Sequence, residues 1–104
     1  MAPPPRRWAG ALPPADLDAA FERAIRAVDR ARTRGMTTIA GESAAPQLAH
    51  LRAELESARL TALESGAPPD TTWLQQTIRW VSDWAPEADI ALIAALGAIA
   101  RAGR

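Results

Sequence analysis

The chain contains no cysteine, no lysine and no tyrosine, and it has one histidine and one phenylalanine. Without cysteine there is no disulfide framework, no thiolate zinc site and no cysteine nucleophile. A single histidine and no HExxH leave imidazole zinc chemistry short of ligands. No GxSxG, GxGxxG or GxxxxGK[ST] segment occurs, which removes the serine elbow, the dinucleotide fingerprint and the phosphate loop. Carboxylates are present without converging. Glu54 and Glu56 point in very different directions on one predicted helix. Asp83, Glu87 and Asp89 gather around a helix–helix corner, where capping and dipole matching explain them more simply than weak binding of a hard cation. His50 with Glu54 four residues on reads as a surface pair. No catalytic role, no cofactor and no metal are expected.

Long apolar runs are missing too. The longest is eleven residues, Ile90 to Ala100, against the ~20 that span a bilayer. Met1 leads into prolines rather than an apolar stretch, so nothing resembles a signal peptide, and a soluble cytoplasmic protein is the expectation. The formal charge is zero, which speaks against a polyelectrolyte as the main partner. Because lysine is absent, all twelve basic residues are arginine. With the alanine excess, this fits the coding bias of a high-GC genome more simply than selection for bidentate anion recognition.

A chain of 104 residues makes one domain, near the size at which a single core becomes self-sufficient. Residues 1–14 hold five of the nine prolines and read as a flexible, extended arm. Pro3-Pro4-Pro5 followed by Arg6-Arg7 is polyproline-II-like but lacks the PxxPxR spacing that SH3 grooves read. Trp8 is the exception in this arm, since a lone aromatic in a tail often packs back onto its domain.

Residues 15–104 predict four helices and no convincing strand. The first covers about 15–34, with Asp16 and Asp18 in its first turn and Arg30, Arg32 and Arg34 in its last, matching the macrodipole. Leu17, Phe21, Ala24, Ile25, Val28 and Ala31 form its buried face, and Gly35 stops it. A loop over 35–43 follows, with Met36 to Ile39 able to extend. The second helix covers about 44–65, with Ser43 as its cap and a stripe of Leu48, Leu51, Leu55, Ala58 and Ala62. Arg52–Glu56 and Glu56–Arg59 are expected as local pairs on its surface. Asp70 caps a third helix over 71–84. Ala85, before a proline, is pushed out of helical geometry, and Pro86 opens a fourth helix running to about 102.

Three surfaces compete for a partner. On the third helix, Trp80 and Trp84 project within about 20° of Trp73 at 100° per residue, while Leu74, Ile78, Val81 and Ala85 form a second, aliphatic margin. Either both margins are buried in the bundle, or the aliphatic one is buried and the Trp margin is partly open, where indole suits a binding hot spot. The fourth helix has no polar side at all from Ile90 to Ala100, and such a helix belongs in the middle of an assembly. Its row Ala91, Ala95, Ala98 and Ala102 would let another helix approach closely, within the monomer or across a two-fold dimer.

The third surface is Arg23, Arg26, Arg30 and Arg34, which align within about 80° on the outer face of the first helix and could track a phosphate backbone. Asp18, Glu22 and Asp29 form an acidic row beside it, with Glu22–Arg26 and Asp29–Arg32 as local pairs. A helix-turn-helix built on the third and fourth helices is rejected, because the fourth begins Pro86-Glu87-Ala88-Asp89 and DNA would repel that end.

The sequence therefore reads as an all-α, compact four-helix bundle-like domain with a Pro-rich arm. It is expected to be a small non-catalytic interaction, regulatory or adaptor protein. The candidate contacts are Trp73, Trp80, Trp84, Ala91, Ala95, Ala98 and Ala102, and the partner is a second copy or a larger protein. The alternative is a nucleic-acid-associated regulator using the arginine row and Arg6-Arg7.

Overall fold

All four expected helices are present in the computed structural model, which describes residues 15–86 and 90–102: α1 (Ala15–Arg34), α2 (Ala45–Ser65), α3 (Thr71–Trp84) and α4 (Ile90–Ala102). Among the described residues the only extended pairing is a single bridge, Thr37 to Ser43. The arm over 1–14, with Arg6, Arg7 and Trp8, lies outside the described residues, as do Glu87 and Asp89. Pro86 itself is not helical, and α4 is described from Ile90.

The sequence of α1 explains its place in the bundle. Its buried residues are Leu17, Ala20, Phe21, Ala24, Ala27, Val28 and Ala31. Four of these are alanine, so the helix is thin on a broad face and two other helices can approach it. Both α2 and α4 pack along it. The expected Ile25 is only half-buried, at the margin of that face. α1 stops where Gly35 takes a left-handed φ of 70°. There the Gly35 and Met36 N–H groups return to the carbonyls of Arg32 and Ala31, each at 3.1 Å, which satisfies the last turn.

The chain then closes a tight loop. Thr38 N–H donates to the Glu42 carbonyl at 2.7 Å and Ala44 N–H to the Met36 carbonyl at 3.0 Å. Met36, Thr38 and Ala44 are buried beneath it. Ile39 N–H donates to the Trp84 carbonyl at 2.9 Å, fastening the loop to the far end of α3. Ser43 is not the cap residue that the sequence suggested, because α2 starts one residue later and its cap position has no side-chain cap hydrogen bond. Ala44 occupies the cap position, and the Ser43 hydroxyl accepts from Ala45 N–H at 3.2 Å.

α2 turns Leu48, Leu51, Leu55 and Ala62 into the core. Two arginines beside that stripe reach across to α1. Arg59 forms a fork on Asp18, Nε to Oδ1 at 2.7 Å and Nη2 to Oδ2 at 3.0 Å, and Arg52 Nε donates to Asp29 Oδ1 at 2.8 Å. Glu22–Arg26 and Arg52–Glu56 form as expected. The other two expected local pairs give way to these cross-helix ones: Asp29 takes Arg52 instead of Arg32, and Arg59 takes Asp18 instead of Glu56. The physical reason is partial burial between helices, which strengthens a charged hydrogen bond relative to one on an open helix surface. The hydrogen bonds it donates to Asp18 raise the Arg59 guanidinium pKa above its ordinary value, with burial opposing them. A raised folded-state pKa means the pair is fully formed below the ordinary guanidinium range and is lost only at still higher pH.

α3 begins at Asp70, whose Oδ1 accepts from Thr72 N–H at 2.9 Å. It ends at Ala85, which is extended (φ −74°, ψ 136°) ahead of Pro86 as the sequence requires. Leu74, Val81 and Ala85 are buried, and α3 packs on α4. The helices thus follow one another around the core in the order α2, α1, α4, α3. On the remaining side, α2 and α3 have no extended close backbone packing.

Core and clamp separate cleanly in a denaturation experiment. Leu55→Ala is expected to cost about 2–5 kcal/mol, as a fully buried leucine does. Arg59→Ala is expected to cost no more than about 1 kcal/mol, because the pair is partly exposed. Raising salt shrinks the second effect and leaves the first unchanged.

Candidate functional site

The open side of the ring is where the tryptophans go. With Leu74 and Val81 committed to the core, the pitch of α3 brings Trp73 and Trp80 against α2, with Trp84 beside Trp80, and all three are half-buried. Trp73 Nε1 donates to Glu54 Oε2 at 3.3 Å. Trp80 stacks edge-on against the His50 ring at 5.4 Å and against Trp84 at 5.2 Å, the geometry that the indole quadrupole favours. His50 Nε2 lies 3.6 Å from Glu54 Oε1, so one carboxylate serves both rings. Side chains rather than close backbones join α2 to α3.

The wedge leaves space on either side of Trp73. One open depression of about 260 Å³ lies over the last two turns of α2, between Ala58, Thr61 and Ala62 and the Pro68-Pro69-Asp70 turn. A second, of about 200 Å³, lies between His50, Glu54, Gln76 and Trp80. Glu54 and Trp73 line both, so the two depressions adjoin along the α2–α3 seam with the Trp73–Glu54 hydrogen bond between them, and together they make up the groove. Among the described residues its charged lining is acidic, Glu54 and Asp70, with no arginine. Indole faces beside a carboxylate can hold a cation or an extended polar chain. Among the described residues no group of three or more His, Asp or Glu could hold a metal ion.

Among the described residues, Gln47 Oε1 and Trp84 Nε1 are buried without a hydrogen-bond partner, and an unsatisfied buried polar group costs about 1–3 kcal/mol. The Trp84 indole N–H is therefore a local defect, unlike that of Trp73, which Glu54 holds.

The other sequence candidates sit elsewhere. On α4, Leu92, Leu96 and Ile99 are buried. Of the alanine row, Ala95, Ala98 and Ala102 are half-buried and packed against the core, and only Ala91 is exposed. The face turned to solvent is instead Ile90, Ala94 and Arg101, with Ile90 70% exposed. α4 thus packs between α1 and α3 and leaves one narrow face of its polar-free sequence open to solvent. No helix among the described residues is long and apolar enough to cross a membrane. Arg23, Arg26, Arg30 and Arg34 are all exposed on α1, and Arg26 is held by Glu22 at 3.1 Å. The acidic row beside them is divided, because Asp18 and Asp29 are drawn to α2.

Glu54 and the α2 half of the groove were missed by reading α3 alone. The signal was there: His50, Glu54 and Thr61 project to one side of α2, about 90–130° from the centre of the Leu48–Leu51–Leu55 stripe. Also unheralded are Leu60 and Leu63 on the outside of α2 and Ile39 on the loop, all exposed.

Two tryptophan substitutions distinguish wedge from core. Trp80→Ala is expected to destabilise by about 1–3 kcal/mol, below the ~3–5 of a fully buried tryptophan. Trp84→Phe is expected to stay within about 1 kcal/mol of the parent, since it removes the unsatisfied N–H with little apolar area. Denaturant titration followed by circular dichroism reads both.

Comparison of the chain with protein-family models, curated proteins and solved structures finds no match.

Proposed function

We propose that this is a non-catalytic protein-interaction domain that receives an extended segment of a partner in the α2–α3 groove. The observation that carries this is the open seam itself. Trp73 and Trp80 are neither fully buried nor free, and Glu54 fixes an indole edge beside an acidic, arginine-free lining. A side chain as large as indole, held half-open by a hydrogen bond, costs little further ordering when a ligand covers it. Aromatic-lined grooves of this kind accept extended, proline-containing or basic chains by stacking and charge. A regulatory or adaptor role follows, because the site has groups for recognition and none arranged for bond breaking.

The exposed strip of α4 supports a second contact within the same reading. Ile90, Ala91 and Ala94 face solvent, and an apolar helix face in water gains by pairing. A second copy is the simplest occupant, and light scattering across a dilution series reports it directly.

Peptide display against the full chain tests the groove. Selected peptides are expected to be extended and basic or proline-containing, to compete with one another, and to lose at least tenfold in affinity against Trp80→Ala and Glu54→Arg. Recovery of no peptide sensitive to either substitution would sink the groove as a binding site.

A further inference from the structure

We propose that the resting occupant of the α2–α3 groove is the chain's own Pro- and Arg-rich segment, residues 1–14, so that the domain is covered in cis until a partner segment displaces it. This rests on the groove reading above and names its ligand.

Three observations point to this segment. The first is where it joins the fold. Asp18, in the first turn of α1, is bonded to Arg59 of α2, so the arm leaves the bundle beside the C-terminal half of α2. The larger depression lies over that half, against Ala58, Ala62 and Trp73. A helix with its side chains is about 10–12 Å across, and fourteen residues at ~3.1 Å each extend about 40 Å. The arm is therefore long enough to round the end of α2 and run along the seam past Trp80.

The second is charge. Residues 1–14 contain Arg6 and Arg7 and no acidic residue, whereas the groove carries Glu54 and Asp70 and no arginine. The third is shape. Pro3-Pro4-Pro5 and Pro13-Pro14 favour the extended polyproline-II form, which aromatic-lined grooves bind at low entropic cost because it is already ordered. Arginine stacks on indole as readily as it pairs with a carboxylate. Tethering supplies the rest: a segment joined by a short connection is present at millimolar effective concentration, so even a weak contact is occupied.

The absence of cysteine makes the test direct. A nitroxide is attached to the full chain at Pro5→Cys, and the four indole N–H resonances are assigned with single Trp→Phe variants. Trp8 is broadened in any case and serves as the internal control. The expected result is strong broadening of Trp73 and Trp80, relieved in Glu54→Arg and in Arg6→Glu/Arg7→Glu. The Arg6→Glu/Arg7→Glu chain is also expected to bind a display-selected groove peptide at least threefold more tightly than the parent, since its internal competitor is weakened.

Broadening at Trp8 alone, with peptide affinity unchanged by Arg6→Glu/Arg7→Glu, overturns the arm as occupant while leaving the groove as a site for a foreign chain. Broadening of Trp73 and Trp80 that survives both sets of charge reversal overturns the acidic groove as the recognition element. Absence of any groove-dependent peptide overturns the functional reading instead, so the two failures are distinguishable.

Discussion

The alanines of α1 are the constraint on which the rest of the bundle depends. Ala20, Ala24, Ala27 and Ala31 are buried together with Leu17, Phe21 and Val28, and their small size gives α1 a broad, shallow surface. α2 and α4 can both lie against it. The larger side chains that fill the space come from those neighbours: Leu48, Leu51 and Leu55 from α2, Leu92, Leu96 and Ile99 from α4. Each such side chain is worth about 1.5–3 kcal/mol when fully buried. A bulkier α1 would hold the two helices apart and leave that gain unrealised.

Once α2 and α4 are seated on α1, α3 has one remaining solution. Leu74, Val81 and Ala85 face the core, and the 3.6-residue pitch then turns Trp73 and Trp80 toward α2, with Trp84 beside Trp80. Indoles are too large to let α2 and α3 close backbone to backbone, so they act as a wedge. His50 and Glu54 complete it by edge-on stacking and hydrogen bonding. The groove is thus a by-product of packing on the opposite side of the molecule. Among the described residues, the buried Gln47 Oε1 and Trp84 Nε1, which lack hydrogen-bond partners, are where the packing is least consistent with itself.

Charge distribution follows from the same arrangement. The chain is neutral as a whole, yet its carboxylates are distributed unevenly by tertiary contacts. Asp18 and Asp29 are committed to the α1–α2 seam, while Glu54 and Asp70 border the groove on the other side of α2. α2 therefore carries arginine toward α1 and acid toward α3, which gives the groove a local sign that net charge conceals.

Much of this was readable in one dimension. The helices, their caps at Asp70 and their stops at Gly35 and Ala85 depend on φ, ψ and hydrogen bonds within a few residues, and local chemistry specifies them. The buried stripes of α1 and α2 follow from 3.6-residue periodicity alone. What only the tertiary structure decided are matters of partner choice between distant residues. Asp29 has an arginine three residues away and takes Arg52 instead; Arg59 has Glu56 and takes Asp18. α4 is apolar on every side, so its periodicity could not say which side is buried, and docking on α1 and α3 chose Leu92, Leu96 and Ile99. The Trp row was visible as a row, but whether it faced core, solvent or α2 depended on the angle at which α3 lies on α4. Sequence determines a face when polar and apolar residues alternate around a helix. Where a helix is uniformly apolar, or a charge has two possible partners, only the positions of the other helices can decide.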